Sequence, residues 1–174
     1  LAEKTLAGAK ARAEDFLRKH GRKPTLAVVL VGADPASQIY VGKKSETCKA
    51  NGLDALDFPL SPAEGFAKLE NLVRELNARA DVDGILVQSP LPKGWDEARI
   101  QALITPEKDV DGFHPMNVGA LSLDAKKTLD LGLPSCTPAG VIEILREARV
   151  PVAGKHAVVI GRSNIVGKPM AQML

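Results

Sequence analysis

The chain has 174 residues with a formal net charge of +2, and 45% of them are hydrophobic. So small a charge gives no reason to expect nucleic-acid binding, and no apolar run approaches the roughly 20 residues of a membrane-spanning helix. The two cysteines and three scattered histidines form neither a disulfide framework nor a zinc motif. We therefore expect a cytoplasmic protein with an aliphatic core, since only 3% of the residues are aromatic.

The first predicted elements are a helix, a buried strand and a second helix. Apolar residues recur on one side of the segment that ends near His20, and Gly21 stops this helix. The unbroken apolar run Leu26–Val31 has the length and β-branched content of a strand buried on both faces. Asp34 then supplies an N-cap oxygen, and Pro35 supplies a preset φ at the first position of the next helix.

The second helix carries four polar or reactive side chains on one face. Their spacings of three and four residues align Ser37, Tyr40, Lys44 and Cys48. A ring and an ammonium group just beyond the carboxyl end of a parallel strand lie where open α/β sheets bind ligands. The commoner alternatives are a tyrosine packed on the protein and a lysine in solvent. Tyr40 and Lys44 are therefore candidates for an active site.

Two further strands, with the helix between them, predict a parallel sheet. Leu53–Leu60 is the second strand, and the capping box of Ser61 and Glu64 opens a helix with an apolar stripe from Phe66 to Leu76. Gly84–Gln88 is the third strand, apolar until its last residue. Alternating strands and helices are typical of a parallel sheet with right-handed crossovers, so the predicted fold class is α/β.

Polar residues follow the third strand and a short helix predicted near residues 96–104. Gln88 is commonly just a strand end facing water, but in a parallel sheet it shares an edge with Lys44. Asp109 and Asp111 are separated by one residue, so they point in opposite directions if the segment is extended. One acid can then face a site while the other faces the protein. Two carboxylates aimed apart make a poor cage for Mg²⁺ or Ca²⁺, so we predict no metal site.

The periodic pattern breaks down between residues 122 and 134, and we predict a domain boundary there. The two predicted domains are residues 1–133 and 134–174. Thr137 and Pro138 are predicted to cap a helix that runs through residue 146.

A strand, a glycine turn and a helix start are predicted near the end of the sequence. Lys155–Ile160 is the strand, and the turn from Gly161 to Gly167 would present backbone N–H groups to an anion. Ser163 replaces the second glycine of the usual G-x-G-x-x-G pattern, so the spacing alone leaves dinucleotide binding open. Arg162 favours it, because a guanidinium there can pair with a 2′-phosphate.

Five motifs follow one another in the order and spacing of one family. They are VGADPASQIYVGKKSETCKANG, VDGILVQSPLPKG, PEKDVDGFHPMNVGAL, PSCTPAGVIEIL and HAVVIGRSNIVGKPMAQML. On these motifs the chain resembles the bifunctional methylenetetrahydrofolate dehydrogenase/methenyltetrahydrofolate cyclohydrolases, from about Pro24 onward. The resemblance implies an α/β fold with an N-terminal parallel-sheet catalytic domain, followed by a truncated Rossmann-type dinucleotide-binding domain.

The resemblance also implies a role for each matching residue. Tyr40 would stack on the folate rings, Lys44 would be the central catalytic residue, and Gln88 would hold that lysine. Asp111 would bind the pterin end, and Ser89 stands where the family commonly has a larger apolar residue. The implied catalytic residues are Lys44, Gln88 and Asp111; the substrate-binding residues are Tyr40, Lys44, Val87, Gln88, Ser89 and Asp111; the NADP-binding residues are Gly161, Arg162 and Ser163.

The implied activity joins two steps of one-carbon metabolism, which feeds purine and amino-acid biosynthesis. A hydride passes from 5,10-methylenetetrahydrofolate to NADP, and water then opens the methenyl cation to 10-formyltetrahydrofolate. A cation beside a lysine disfavours its ammonium form, so Lys44 would act as a neutral base in the second step. The resemblance further implies a homodimer and no metal.

Members of the family are longer than this chain. We therefore expect either part of a longer protein or a genuine fragment, which expressed alone would lack dehydrogenase activity and tend to associate. One alternative is a non-catalytic fragment that binds folate or dimerises. Another is a different nicotinamide-dependent dehydrogenase, which would leave the VQSPLP and KDVDG segments unexplained.

Overall fold

The computed structural model describes all of residues 1–174. The chain forms two compact units, residues Ala2–Lys108 and residues Asp109–Leu174 together with Leu1. The predicted functional division into residues 1–133 and 134–174 stays a prediction. None of the helices combines the length and apolar character needed to cross a bilayer.

The first unit is a three-stranded parallel sheet with helices on both faces. Its elements are α1 (Ala2–His20), β1 (Thr25–Val31), α2 (Pro35–Ala50), β2 (Asp54–Leu60), α3 (Phe66–Ala78), β3 (Gly84–Val87) and α4 (Glu97–Leu103). The strand order is β2-β1-β3, and Val28 of β1 lies opposite Asp57 on one side and Leu86 on the other. The predicted α/β class and parallel sheet are confirmed.

Alternation along the strands assigns each helix to a face of the sheet. Odd-numbered residues of β1 share a buried core with α3 and α4, so even-numbered ones face the opposite side, where α2 packs. The core comprises Ala27, Val29, Val31, Leu60, Leu69, Val73, Leu76, Val82, Ile85, Ile100 and Ile104. Leu69, Val73 and Leu76 are completely buried, which explains the apolar stripe of α3.

An ion pair and its hydrogen bonds link β1 and β3 at the amino-terminal end of the sheet. The Asp83 carboxylate accepts hydrogen bonds from both terminal nitrogens of Arg22, at 2.7 and 2.8 Å, and from the Thr25 N–H at 2.8 Å. These bonds join Arg22 and the first residue of β1 to the residue that precedes β3, so they help to set the pairing of the two strands. The guanidinium hydrogen bonds are the largest cause of the lowered Asp83 pKa.

Two predicted boundaries in the first unit are shifted. The capping box of Ser61 and Glu64 is present, but it opens a 3₁₀ turn over Pro62–Glu64 instead of α3. Gly65 then adopts a φ of +84°, which breaks the helical path before α3 begins at Phe66. β3 ends at Val87, although the Gln88 N–H still donates to the Val29 carbonyl at 2.9 Å.

The second unit contains helices and no strand. They are α5 (Pro115–Leu123), α6 (Ala125–Leu131), α7 (Cys136–Glu147) and α8 (Gly167–Met173). The predicted strand Lys155–Ile160 is wrong for this structure, because a strand requires a hydrogen-bonded neighbour and no segment pairs with it. Val158 and Ile160 are consequently 75% and 99% exposed.

One other prediction for the second unit needs correction, and a stretch for which no element was predicted contains a helix. The stretch between residues 122 and 134 contains α6, whose cap is the Asp124 carboxylate accepting from the Lys127 N–H at 2.9 Å. The next helix, α7, has Ser135 as its N-cap residue instead of Thr137. The buried Ser135 hydroxyl donates to the Ile165 carbonyl, so this serine joins two segments and does not cap the helix through its side chain.

Candidate active site

The start of α2 follows directly from the local sequence. Asp34 has extended backbone angles, and its carboxylate accepts a hydrogen bond from the Ser37 N–H at 2.8 Å. This bond is the largest cause of the lowered Asp34 pKa. Pro35 occupies the first turn, as predicted. Only three residues therefore separate the end of β1 from the start of the helix, at the carboxyl edge of the sheet.

Lys44 and Gln88 meet at this edge. The Lys44 ammonium donates to Gln88 Oε1 at 3.0 Å, and the Gln88 amide nitrogen donates to the Ser89 carbonyl at 2.6 Å. Since Val87 packs against the core shared with α3 and α4, strand alternation directs Gln88 towards α2. The structure thus brings together two predicted site residues from distant motifs, and their catalytic roles stay predictions.

The other predicted residues of the first unit lie next to this pair along the chain or one helical turn from it. Tyr40 lies one turn before Lys44 and is 62% exposed, so it is not the packed tyrosine of the common alternative. Ser89 donates from its hydroxyl to Glu97 Oε1 at the start of α4. Because the Val87 side chain lies against the core, we expect any substrate contact of this residue to involve its main chain.

A hydrogen bond and an electrostatic interaction near Lys44 were not predicted. The Ser45 hydroxyl donates to Asp57 Oδ1 at 2.6 Å, and Ser45 is only 5% exposed. Burial raises the pKa of the half-buried Cys48 thiol, and the negative charge of Asp57 adds to the shift. One sequence signal could have indicated these interactions. An acid at position 57 alternates with the apolar Leu56 and Phe58, so it lies on the opposite face of β2, where α2 packs.

Asp109 and Asp111 lie in a tight turn of the second unit instead of an extended segment. Asp109 is 2% exposed, and its Oδ2 accepts from the His114 N–H and the Asn117 amide, both at 2.8 Å. The Gly112 N–H donates to the Asp109 carbonyl at 3.2 Å, which closes the turn. Asp109 therefore faces the protein, and Asp111 is carried by a turn that this buried carboxylate fixes to the start of α5.

The glycine turn, residues 161–167, precedes α8. Ser163 Oγ accepts from the N–H groups of Val166 and Gly167 at 3.1 and 3.2 Å, so the protein itself satisfies two of the N–H groups expected to bind an anion. A Cβ on Gly167 would lie 2.5 Å from the Gly161 carbonyl oxygen, so only glycine permits this close approach. Arg162 is exposed on the turn, and its guanidinium has no ion-pair partner.

Family models cover most of the sequence. Residues 1–111 match the tetrahydrofolate dehydrogenase/cyclohydrolase catalytic domain. The chain belongs to this family. Residues 135–174 match the NAD(P)-binding domain of tetrahydrofolate dehydrogenase/cyclohydrolase, so the fold is that of a two-domain family in which a parallel-sheet domain precedes a dinucleotide-binding domain.

Curated members of the tetrahydrofolate dehydrogenase/cyclohydrolase family are similar over nearly all of this chain. The bifunctional protein FolD of Maridesulfovibrio salexigens is 51% identical over 165 residues, covering 95% of this chain and 56% of the relative. FolD of Desulfovibrio desulfuricans is 53% identical over 153 residues, covering 88% of this chain and 52% of the relative. The chain therefore spans about half the length of the curated relatives it matches.

Solved structures of the family have the same fold. FolD of Campylobacter jejuni is 43% identical with a TM-score of 0.90, covering 98% of this chain and 59% of that one. The Trypanosoma brucei enzyme, complexed with NADP and an inhibitor, is 32% identical with a TM-score of 0.91, covering 99% and 57%. The NAD-dependent dehydrogenase of Saccharomyces cerevisiae is 26% identical with a TM-score of 0.83, covering 98% and 57%.

Proposed function

We propose that this chain carries the catalytic domain and the start of the cofactor-binding domain of a methylenetetrahydrofolate dehydrogenase/cyclohydrolase. The substrates would be 5,10-methylenetetrahydrofolate and, after hydride transfer, the methenyl cation that is hydrolysed to 10-formyltetrahydrofolate. The observation that carries the proposal is the bond from Lys44 to Gln88 at 3.0 Å, at the sheet edge where α/β proteins bind ligands.

The candidate site residues have different roles in the two proposed reaction steps. Hydride transfer requires alignment of two ligands, and the exposed Tyr40 ring offers a surface on which folate rings can stack. Water addition requires proton transfers, and Lys44 would handle the proton while the Gln88 amide holds its direction. Asp111 would bind the pterin end of the substrate, with Val87 and Ser89 completing the binding residues.

The glycine turn fits a nicotinamide dinucleotide. Close packing of a turn against a helix start is the role of the last glycine in such fingerprints, and Gly167 approaches Gly161 in this manner. When bound, the cofactor supplies the hydride acceptor. Within the turn, Gly161 and Ser163 would contact the cofactor, while Arg162 would pair with a 2′-phosphate, so we propose NADP over NAD.

Assembly and location belong to the same proposal. We expect a homodimer, which light scattering of the purified protein tests directly. We also expect a cytoplasmic location, since both cysteines are free thiols.

Substitution of Lys44 tests the proposal, with the neighbouring lysine as control. Lys44→Met in the full-length protein should nearly abolish cyclohydrolase turnover, because general acid–base groups contribute about 10²–10⁴-fold. Dehydrogenase turnover should survive in part. Lys43→Met removes an exposed charge from the same turn of α2 and should change neither rate by more than about twofold, as expected of a surface substitution.

Three outcomes contradict parts of the proposal. Equal and modest losses in both half-reactions for Lys44→Met would overturn the role of this lysine. Folate binding by the wild-type protein without any turnover would favour a non-catalytic binding module. No binding of either folate or NADP would overturn the proposed function as a whole.

A further inference from the structure

Two consecutive residues of α2 form hydrogen bonds in different directions. Lys44 donates to Gln88, which follows β3, and Ser45 donates to Asp57 in β2. β2 and β3 lie on opposite sides of the central strand β1. Adjacent positions of a helix differ by about 100° around its axis. Hydrogen bonds from two adjacent residues therefore link α2 to the segments on both sides of β1, one of them through the lysine itself.

The second of these contacts joins a buried serine to an exposed carboxylate. Ser45 is 5% exposed, whereas Asp57 is exposed to solvent. Their bond is 2.6 Å long, which is typical of a hydroxyl donating to a charged carboxylate. Asp57 lies on the α2 face of β2, because the neighbouring Leu56 and Phe58 pack on the other face. The carboxylate also lies close enough to the next turn of the helix for its charge to contribute to the raised pKa of the Cys48 thiol, after burial.

We propose that Ser45 and Asp57 form a positioning pair that fixes the rotation of α2 and thereby directs Lys44 at Gln88 and at the substrate. This inference rests on the proposed function for its catalytic consequence. A rotation of α2 by about 10° moves a side-chain tip about 5 Å from the helix axis by roughly 1 Å. A misplacement of about 1 Å can cost about 10²-fold in rate. Tyr40 would be displaced by the same rotation.

The test uses four variants of the full-length protein and one control. Ser45→Ala and Asp57→Ala each remove one partner, and the double variant removes both. Asp57→Asn retains an oxygen that can accept the hydrogen bond from the serine hydroxyl. Thr47→Ala is the control, since it removes an exposed hydroxyl from the same helix. Turnover of both half-reactions is measured below the unfolding temperature of every variant, together with KM for the folate and for NADP.

A second measurement does not depend on activity. An amine-acylating reagent, with peptide mass spectrometry, gives the ratio of labelling at Lys44 to labelling at the exposed Lys43. In the wild-type protein this ratio should be low, because Lys44 is half-buried and bonded to Gln88. Ser45→Ala or Asp57→Ala should raise the labelling ratio several-fold. Asp57→Asn should leave the ratio near its wild-type value, because the asparagine oxygen can still accept the hydrogen bond.

We expect turnover to fall about 10- to 100-fold in each single alanine variant, with no further fall in the double variant, since the two residues act as one unit. Asp57→Asn should retain most of the turnover, and KM for NADP should not change. A lower unfolding temperature with wild-type turnover and an unchanged labelling ratio would overturn the proposal, as would losses that multiply in the double variant. Inactivity of the wild-type protein would overturn the proposed function, whereas the labelling ratio would still decide the positioning pair.

Discussion

Gly112 holds the turn that carries Asp111, and its replacement by alanine is the most informative test of that turn. Gly112 has a φ of +70°, and a Cβ built on it would lie 2.5 Å from the Leu133 carbonyl oxygen. The same Cβ would lie 2.5 Å from the Pro134 carbonyl carbon and 2.7 Å from the Ser135 nitrogen. All three are main-chain atoms, so no side chain can rotate away to make room.

The expected loss of stability has two parts. A left-handed backbone costs a residue with a Cβ about 1–2 kcal/mol, and overpacking of this kind costs about 1–3 kcal/mol more. Relief of the overlap would also displace Ser135, the buried residue that precedes α7 and bonds to Ile165. We therefore expect Gly112→Ala to lower the free energy of unfolding by about 2–5 kcal/mol, the sum of these two parts.

Gly154 provides a matched control for the steric part. It has a φ of +72° in the same unit, and nothing lies within 4 Å of its Cβ position. Gly154→Ala should therefore cost only the backbone part, about 1–2 kcal/mol. Urea unfolding of the two variants, followed by circular dichroism, gives the difference. Equal losses for Gly112→Ala and Gly154→Ala would refute the argument from main-chain overlap.

Three further predictions concern charged residues. The hydrogen bonds from Arg22 lower the pKa of Asp83. The contribution of this carboxylate to stability is therefore full at neutral pH and is lost as the pH falls below about 3.8, the ordinary pKa of an aspartate. Urea unfolding should show Asp83→Asn closer in stability to the wild type at pH 3 than at pH 7. Arg162→Ala should weaken NADP binding by about 1.5–3 kcal/mol and leave NAD binding unchanged, as titration calorimetry can measure. Asp109→Ala should lower the free energy of unfolding by about 3 kcal/mol in urea, because the His114 N–H and the Asn117 amide lose a charged acceptor.

Much of the first unit was predictable because its signals are local. The apolar run at residues 26–31, the Asp34 cap and the spacing of Tyr40 and Lys44 each depend on residues close in sequence. The meeting of Lys44 with Gln88 required only one further step, that the carboxyl ends of parallel strands share an edge. The structure has these elements in the predicted places.

What was missed depends on contacts between distant segments. The Ser45–Asp57 bond and the Ser89–Glu97 bond each need the register of two elements, which no local pattern supplies. Residues 155–160 have the composition of a strand, but composition does not supply a hydrogen-bonded neighbour. The opposite orientations predicted for Asp109 and Asp111 were conditional on an extended segment. The turn found there is set by the hydrogen bonds that the Asp109 carboxylate accepts from partners five and eight residues further along the chain.

The stability of the sheet and the geometry of the candidate site are linked through strand register. Asp83 pairs with the main chain of Thr25 at one end of β1 and β3, and the Gln88 N–H pairs with the Val29 carbonyl at the other. A slip of one residue would move every side chain of β3 to the opposite face. Gln88 would then face the core and could not accept from Lys44. The ion pair at the amino-terminal edge therefore helps to keep the amide on the α2 side, although it lies at the far end of the strand from the lysine.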